Sequence, residues 1–126
     1  MSRPPKTLHV RLPPYAKHGW RKDIFEAVQK KLPEGVRYAK ADRLQIGVRL
    51  YLAGRQLERV DVDKQLKHIV AALQGMVDGE KKNPDPDRPR VIRNDHQVWR
   101  AAIEKVERPH KLADTTGGHL IISHVK

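Results

Sequence analysis

Three aspartates and one lysine in this chain have the types and spacing for a definite chemistry: Asp61, Asp63, Asp95 and Lys67. Asp61 and Asp63 stand two apart, just ahead of an apolar stripe with helical spacing, and in an extended segment residues two apart point to the same side. The pair can therefore converge on one cation. Hard oxygen donors suit Mg²⁺, which takes one or two carboxylates, keeps several waters and accepts a phosphate oxygen. Asp95, from elsewhere in the chain, would complete such a site. Lys67 falls one helical turn after Asp63, on the same face of the helix start. There an ammonium could neutralise charge on a pentavalent phosphorus or protonate a leaving oxygen. Together these groups suit metal-assisted hydrolysis of a phosphodiester.

Each group also has a plainer role open to it. A D-x-D pair before a helix most often provides an N-cap and a solvated neighbour. Lys67 on an exposed helix face would point to solvent, and Asp95 after Asn94 fits a turn. The seven histidines (His9, His18, His68, His96, His110, His119 and His124) show neither H-x-x-x-H nor H-E-x-x-H spacing. They read as surface residues, with His68 and His96 near enough to the acids in sequence to touch a phosphate.

The charge balance favours the phosphodiester reading. The 126 residues carry 26 Lys and Arg against 15 Asp and Glu, a net charge of +11, with a pI near 10.2. A small domain this basic faces a polyanion, and nucleic acid is the commonest. The basic residues run from Arg3 to Lys126 rather than forming one tail, which suits a folded binding face. No cysteine is present, which excludes disulfides and thiolate metal sites. With no long apolar run and no apolar leader after Met1, the expected setting is cytoplasmic, without a membrane partner. The length suits one domain covering residues 1–126.

The elements that must position these residues follow from periodicity. Thr7–Leu12 alternates and is stopped by Pro13-Pro14, predicting a first strand. Over residues 16–32, Trp20, Ile24, Ala27, Val28 and Leu32 mark a helix whose remaining surface is basic. Leu44, Ile46, Val48, Leu50 and Leu52 alternate without a break, the strongest strand signal in the chain. Leu66, Ile69, Val70, Leu73, Met76 and Val77 then form the apolar stripe of a second helix, fading over residues 75–79. Residues 78–94 are polar and proline-rich, and read as a long exposed loop. Residues 96–106 fit a helix by periodicity, and residues 119–125 a closing strand.

The sequence resembles the RusA-type Holliday junction resolvases over about residues 57–106. The likeness is carried by Asp61-Val62-Asp63-Lys64-Gln65-Leu66-Lys67, then Ala72-Leu73-Gln74-Gly75, then Asn94-Asp95-His96-Gln97-Val98, with Lys105 closing the last segment. The resemblance implies a single two-layer α+β domain with a mixed four-stranded sheet and two main helices, in the order β-α-β-α-β-β. It makes residues 96–106 a strand, against the periodicity, and their β-branched and aromatic content permits this. It further implies a homodimer that nicks two opposed strands of a four-way junction in recombination and repair, using Mg²⁺ or Mn²⁺ and no small-molecule cofactor. Asp61, Asp63 and Asp95 would be the catalytic, metal-binding carboxylates, and Lys67 the essential lysine. A bacterial or phage-derived context goes with it. Three departures stand out: Lys64 where many members carry asparagine, Asn94 in place of an aspartate, and a loop over residues 78–94 longer than in the shortest members.

A two-fold dimer carries two identical sites, as paired cuts in a symmetric junction require. Arg21, Lys22, Arg55, Lys64, Arg90, Arg93 and Arg100 are the residues expected to grip phosphates. The alternatives are a non-catalytic basic nucleic-acid-binding protein on the same scaffold and an RNA-cleaving toxin-like enzyme.

Overall fold

The computed structural model describes residues 6–32, 37–77, 90–109 and 116–125. Within these, strand β1 (Thr7–Leu12) leads to helix α1 (Trp20–Lys31), strand β2 (Leu44–Leu52), a single turn α2 (Gln56–Arg59) and helix α3 (Val62–Leu73). A short 3₁₀ turn (Asp95–Gln97) then opens strand β3 (Val98–Glu107), and β4 (Gly118–His124) closes the chain. The fold is the expected α+β one, with α2 as an added turn. Among the described residues no helix is long and apolar enough to cross a membrane.

The strands form one mixed sheet in the order β1-β4-β2-β3. β4 runs antiparallel to both β1 and β2, whereas β3 pairs with β2 in parallel. A parallel pair needs a crossover, and α3 supplies it. The core lies between one sheet face and the two helices. Alternate residues of β2 (Leu44, Ile46, Val48, Leu50, Leu52) and of β1 and β4 (Leu8, Val10, Leu12, Leu120, Ile122) are buried there, against Trp20, Ile24 and Val28 of α1 and Ile69, Ala72 and Leu73 of α3. This matches the period of two in the strands and of 3.6 in the helices. At the start of β4 a side chain on Gly118, at φ +151°, would run into the Arg49 carbonyl of β2, so that crossing of backbones requires glycine.

Of the two readings of residues 96–106, the strand that the resemblance implies holds and the helix of the periodicity does not, since β3 occupies Val98–Glu107. As an edge strand it is exposed on both faces over much of its length, so the alternation that marks a half-buried strand is missing and helical spacing arises by chance. The supposed loop over residues 78–94 is described only from Arg90 onward, its earlier part lying outside the described residues. The described part is not simply exposed. Val91 and Ile92 are 1% and 0% exposed, and both backbone N–H groups donate to the Leu73 carbonyl, at 2.8 and 3.1 Å. They close the open end of α3, where carbonyls have no partner within the helix.

Gln97, buried at the start of β3, joins these parts. Its Oε1 accepts from the backbone N–H groups of Arg93 and Asn94, at 2.8 and 3.1 Å. Its Nε2 donates to the carbonyls of Ala39 and Asp42, at 2.6 and 3.2 Å. The amide thus ties the turn before β3 to the turn before β2. Replacing it strands buried backbone groups, each costing more than the hydrogen bond gained in folding. Gln97→Leu should lower the unfolding free energy by about 2–3 kcal/mol in urea denaturation. Gln97→Glu should do no better, because a carboxylate would face two carbonyls.

Candidate functional site

Asp61 precedes α3 in extended conformation, and its Oδ1 accepts from the Asp63 N–H at 3.0 Å. It is therefore the N-cap of the helix, the commoner of the two roles open to it. Among the described residues its second carboxylate oxygen has no assigned partner. Asp63 lies in the first turn, exposed, where the positive end of the helix dipole favours an acid. Lys67 is exposed one turn further along, with exposed Lys64 beside it. Lys105 reaches in from β3, its Nζ donating to the Val60 carbonyl at 3.0 Å. The first turn of α3 thus gathers two carboxylates and is flanked by three lysines at the surface.

Asp95 lies elsewhere. It opens the 3₁₀ turn, which Asn94 caps through the His96 N–H at 2.8 Å. Its side chain is 61% exposed, and Oδ1 stands 3.7 Å from His96 Nε2. Its position along the sheet follows from its neighbours. Lys105 marks the Asp61 end, and seven residues of extended strand back to Val98 cover about 23 Å. The far end of α3, which Val91 and Ile92 close, is likewise about 18 Å from its start at 1.5 Å per residue over twelve residues. Asp61 and Asp95 therefore sit at opposite ends of α3. Among the described residues no three His, Asp or Glu side chains form a group able to hold a metal. The expectation that all three aspartates meet in one chain is not met. Asp61 and Asp63 are linked through the Asp63 backbone N–H, with Asp61 extended and Asp63 already in the helix; both are exposed, as ligands of a hard cation that keeps most of its waters would be.

The basic residues divide in the same way. Arg55 and Lys64 are exposed near the start of α3, while Arg93 and Arg100 are exposed around the 3₁₀ turn and β3. Arg90 is half-buried, and its carbonyl accepts from Arg37 at 3.4 Å. Lys22 is exposed on α1. Arg21 has a structural contact, its Nε donating to His68 Nδ1 at 2.8 Å across the two helices. His68 is thus an acceptor between helices rather than a free surface group.

The sheet face away from the helices carries groups that periodicity did not single out. His9 Nε2 and His119 Nδ1 share a hydrogen bond of 2.9 Å, and the Tyr51 ring meets His119 edge-on with centroids 5.5 Å apart. Arg49 pairs with Glu104 at 2.7 Å on the same face. Burial, and then the charges of His9, Arg11 and Arg49, hold the His119 imidazole below its ordinary pKa. On the other side of the sheet, burial and the neighbouring Asp42 push the Tyr38 phenol up to about 12. His9 and His119 are diagonal neighbours across β1 and β4, His9 standing opposite Ile121 and Arg11 opposite His119, and that placement becomes visible only once β1 and β4 are known to be neighbours.

Two stability measurements test these assignments. Asp61→Ala should lower stability by about 1 kcal/mol in thermal or urea unfolding, while Asp61→Asn, an equally good N-cap, should stay close to the parent. For His119, the folded chain resists protonation more than the unfolded chain does. Stability held above about pH 6.5, the ordinary histidine value, should therefore decline as pH falls below it. His119→Asn should flatten that decline. Compared with known proteins, the chain matches no family model, no curated protein and no solved structure.

Proposed function

We propose that the protein is a Mg²⁺-dependent endonuclease of branched DNA that acts as a homodimer and resolves four-way junctions by paired nicks. One observation carries this reading: an exposed carboxylate pair flanked by lysines at the start of α3, on a chain of net charge +11. The motif resemblance to RusA-type resolvases supports the choice of substrate, and Mn²⁺ is the expected substitute metal.

The distance between Asp61 and Asp95 gives the dimer a specific task. The two ends of α3 carry complementary parts of the acidic set. A two-fold axis that sets two copies of α3 head to tail would bring Asp95 of the partner subunit beside Asp61 and Asp63. Each of the two sites would then draw on both protomers.

A bound divalent cation would activate water and offset charge on the phosphate. The chain's own residues do the rest. Asp61 and Asp63 would hold the cation, with Asp61 fixed in one orientation by its capping bond. Lys67 approaches the scissile phosphate, balances charge as water adds to phosphorus, and donates a proton to the departing O3′ as the P–O bond breaks. Lys22, Arg55, Lys64, Arg93 and Arg100 hold flanking phosphates. In the second reading, a non-catalytic nucleic-acid-binding protein, Asp61 serves as a helix cap alone.

Nicking of a synthetic four-way junction decides between them. Mg²⁺ should support cleavage and a chelator should stop it. Asp63→Asn and Lys67→Ala should each cut about a hundredfold more slowly or worse, with binding retained. Asp95→Asn should be equally inactive alone. Mixing Asp63→Asn with Asp95→Asn should restore nicking, since a mixed dimer would hold one intact shared site. No recovery on mixing overturns the shared site, and metal-independent binding without any cleavage by the parent overturns the nuclease.

A further inference from the structure

Trp99 is 61% exposed, the most exposed large apolar side chain among the described residues. The register explains why. Leu44 of β2 pairs with Val98 and Gln45 pairs with Arg100, so Trp99 is an extra residue at a bulge and has no partner across the ladder. A bulge re-aims its side chain and leaves the extra residue unpaired. The indole is exposed on the edge strand β3, and the guanidinium of Arg43, the residue before β2, lies over it at 4.5 Å from the ring centroid.

The surroundings select among partners. Arg100 follows Trp99 directly, and Arg93 is exposed just before the 3₁₀ turn. Asp95, exposed, is the acidic group nearest Trp99 in sequence, and Asp42, which precedes Arg43, is turned to the Ala39 N–H and to His124. A flat aromatic surface stacked with a guanidinium and bordered by further arginines suits a ligand that is both planar and anionic. Nucleotides combine the two: the base stacks on the ring while the phosphate meets the guanidinium. Within a duplex the base faces are covered by their neighbours, so only an unpaired base can offer its face to the indole.

We propose that Trp99 and Arg43 form a stacking site for an unpaired base of a nucleic-acid strand. The proposal rests on the nucleic-acid part of the function proposed above and not on its cleavage chemistry.

The chain has two tryptophans, which makes the site directly observable. Trp20 is 3% exposed and its indole N–H donates to the Pro13 carbonyl at 3.1 Å, so it serves as an internal reference. A fluorescein-labelled dT₁₅ strand and a blunt duplex of equal length would be titrated by anisotropy, with tryptophan emission followed in parallel on the unlabelled strands. The single strand should quench the parent protein, and Trp99→Phe should lose the quenching because only Trp20 remains. Trp99→Ala should bind the single strand roughly ten- to a hundredfold more weakly. Trp99→Phe should stay within about threefold of the parent, and the duplex affinity of all three proteins should agree within about twofold. Binding of the single strand without quenching, or an unchanged affinity for Trp99→Ala, overturns the stacking site and leaves the nucleic-acid reading standing. Failure of the parent to bind either DNA overturns both.

Discussion

Helix α3 runs antiparallel to β3 and is fastened to the neighbouring chain at both ends. At its start, Lys105 of β3 donates to the Val60 carbonyl. At its finish, the N–H groups of Val91 and Ile92 close on the Leu73 carbonyl. The arrangement follows from β2 and β3 being parallel, because a chain leaving the end of one strand must travel back before it can enter the other. Whatever precedes α3 lies at one end of the sheet, and whatever precedes β3 lies at the other. Asp61 and Asp63 are in the first position and Asp95 is in the second. Their separation is a property of the crossover, which side-chain rearrangement within one chain cannot overcome.

Much of this was legible in the residues. The unbroken alternation of Leu44 to Leu52 identified the central strand, and the stripes around Trp20 and Ile69 identified both helices, because each of these elements buries one face. β3 was illegible for the converse reason. An edge strand exposed on both faces has no buried set to repeat every second residue, so its apolar residues carry no reliable period. Val91 and Ile92, in a segment otherwise rich in proline and charge, gave no periodic signal either. Two apolar residues that seal a helix end are too few to show one. The D-x-D spacing placed Asp61 and Asp63 at the start of α3, though as an N-cap and a first-turn residue rather than two members of an extended segment. Placing Asp95 required the pairing of β2 with β3, and no spacing along the chain encodes that.

The motif around Asp95 illustrates how structural and chemical demands share a segment. Gln97 is the buried member, four hydrogen bonds hold it, and through it the turn before β3 is bound to the turn before β2. Asn94 caps the 3₁₀ turn. Among the described residues the Asp95 side chain makes no such structural contact beyond the long approach to His96. Within one short stretch, then, the neighbours of the carboxylate provide rigidity and the carboxylate itself stays available at the surface. Sequence alone weighs Asn94, Asp95 and Gln97 alike, and burial separates them.

A helix cap and a cation ligand are usually treated as competing assignments for an aspartate, and at Asp61 they are compatible. An ionised carboxylate has two oxygens and about four lone-pair sites. The bond from the Asp63 N–H engages Oδ1 alone, so capping fixes the side chain's direction while leaving its other oxygen toward solvent. The same cap also sets the first turn of α3, and with it the positions of Asp63 and Lys67. Removing the cap would loosen all three groups at once, whereas a freely rotating aspartate would have to lose rotamer freedom on binding any cation. On the proposed reading the plain structural role would serve the chemical one: a metal held by two exposed carboxylates and several waters would depend on ligands whose orientation is already set.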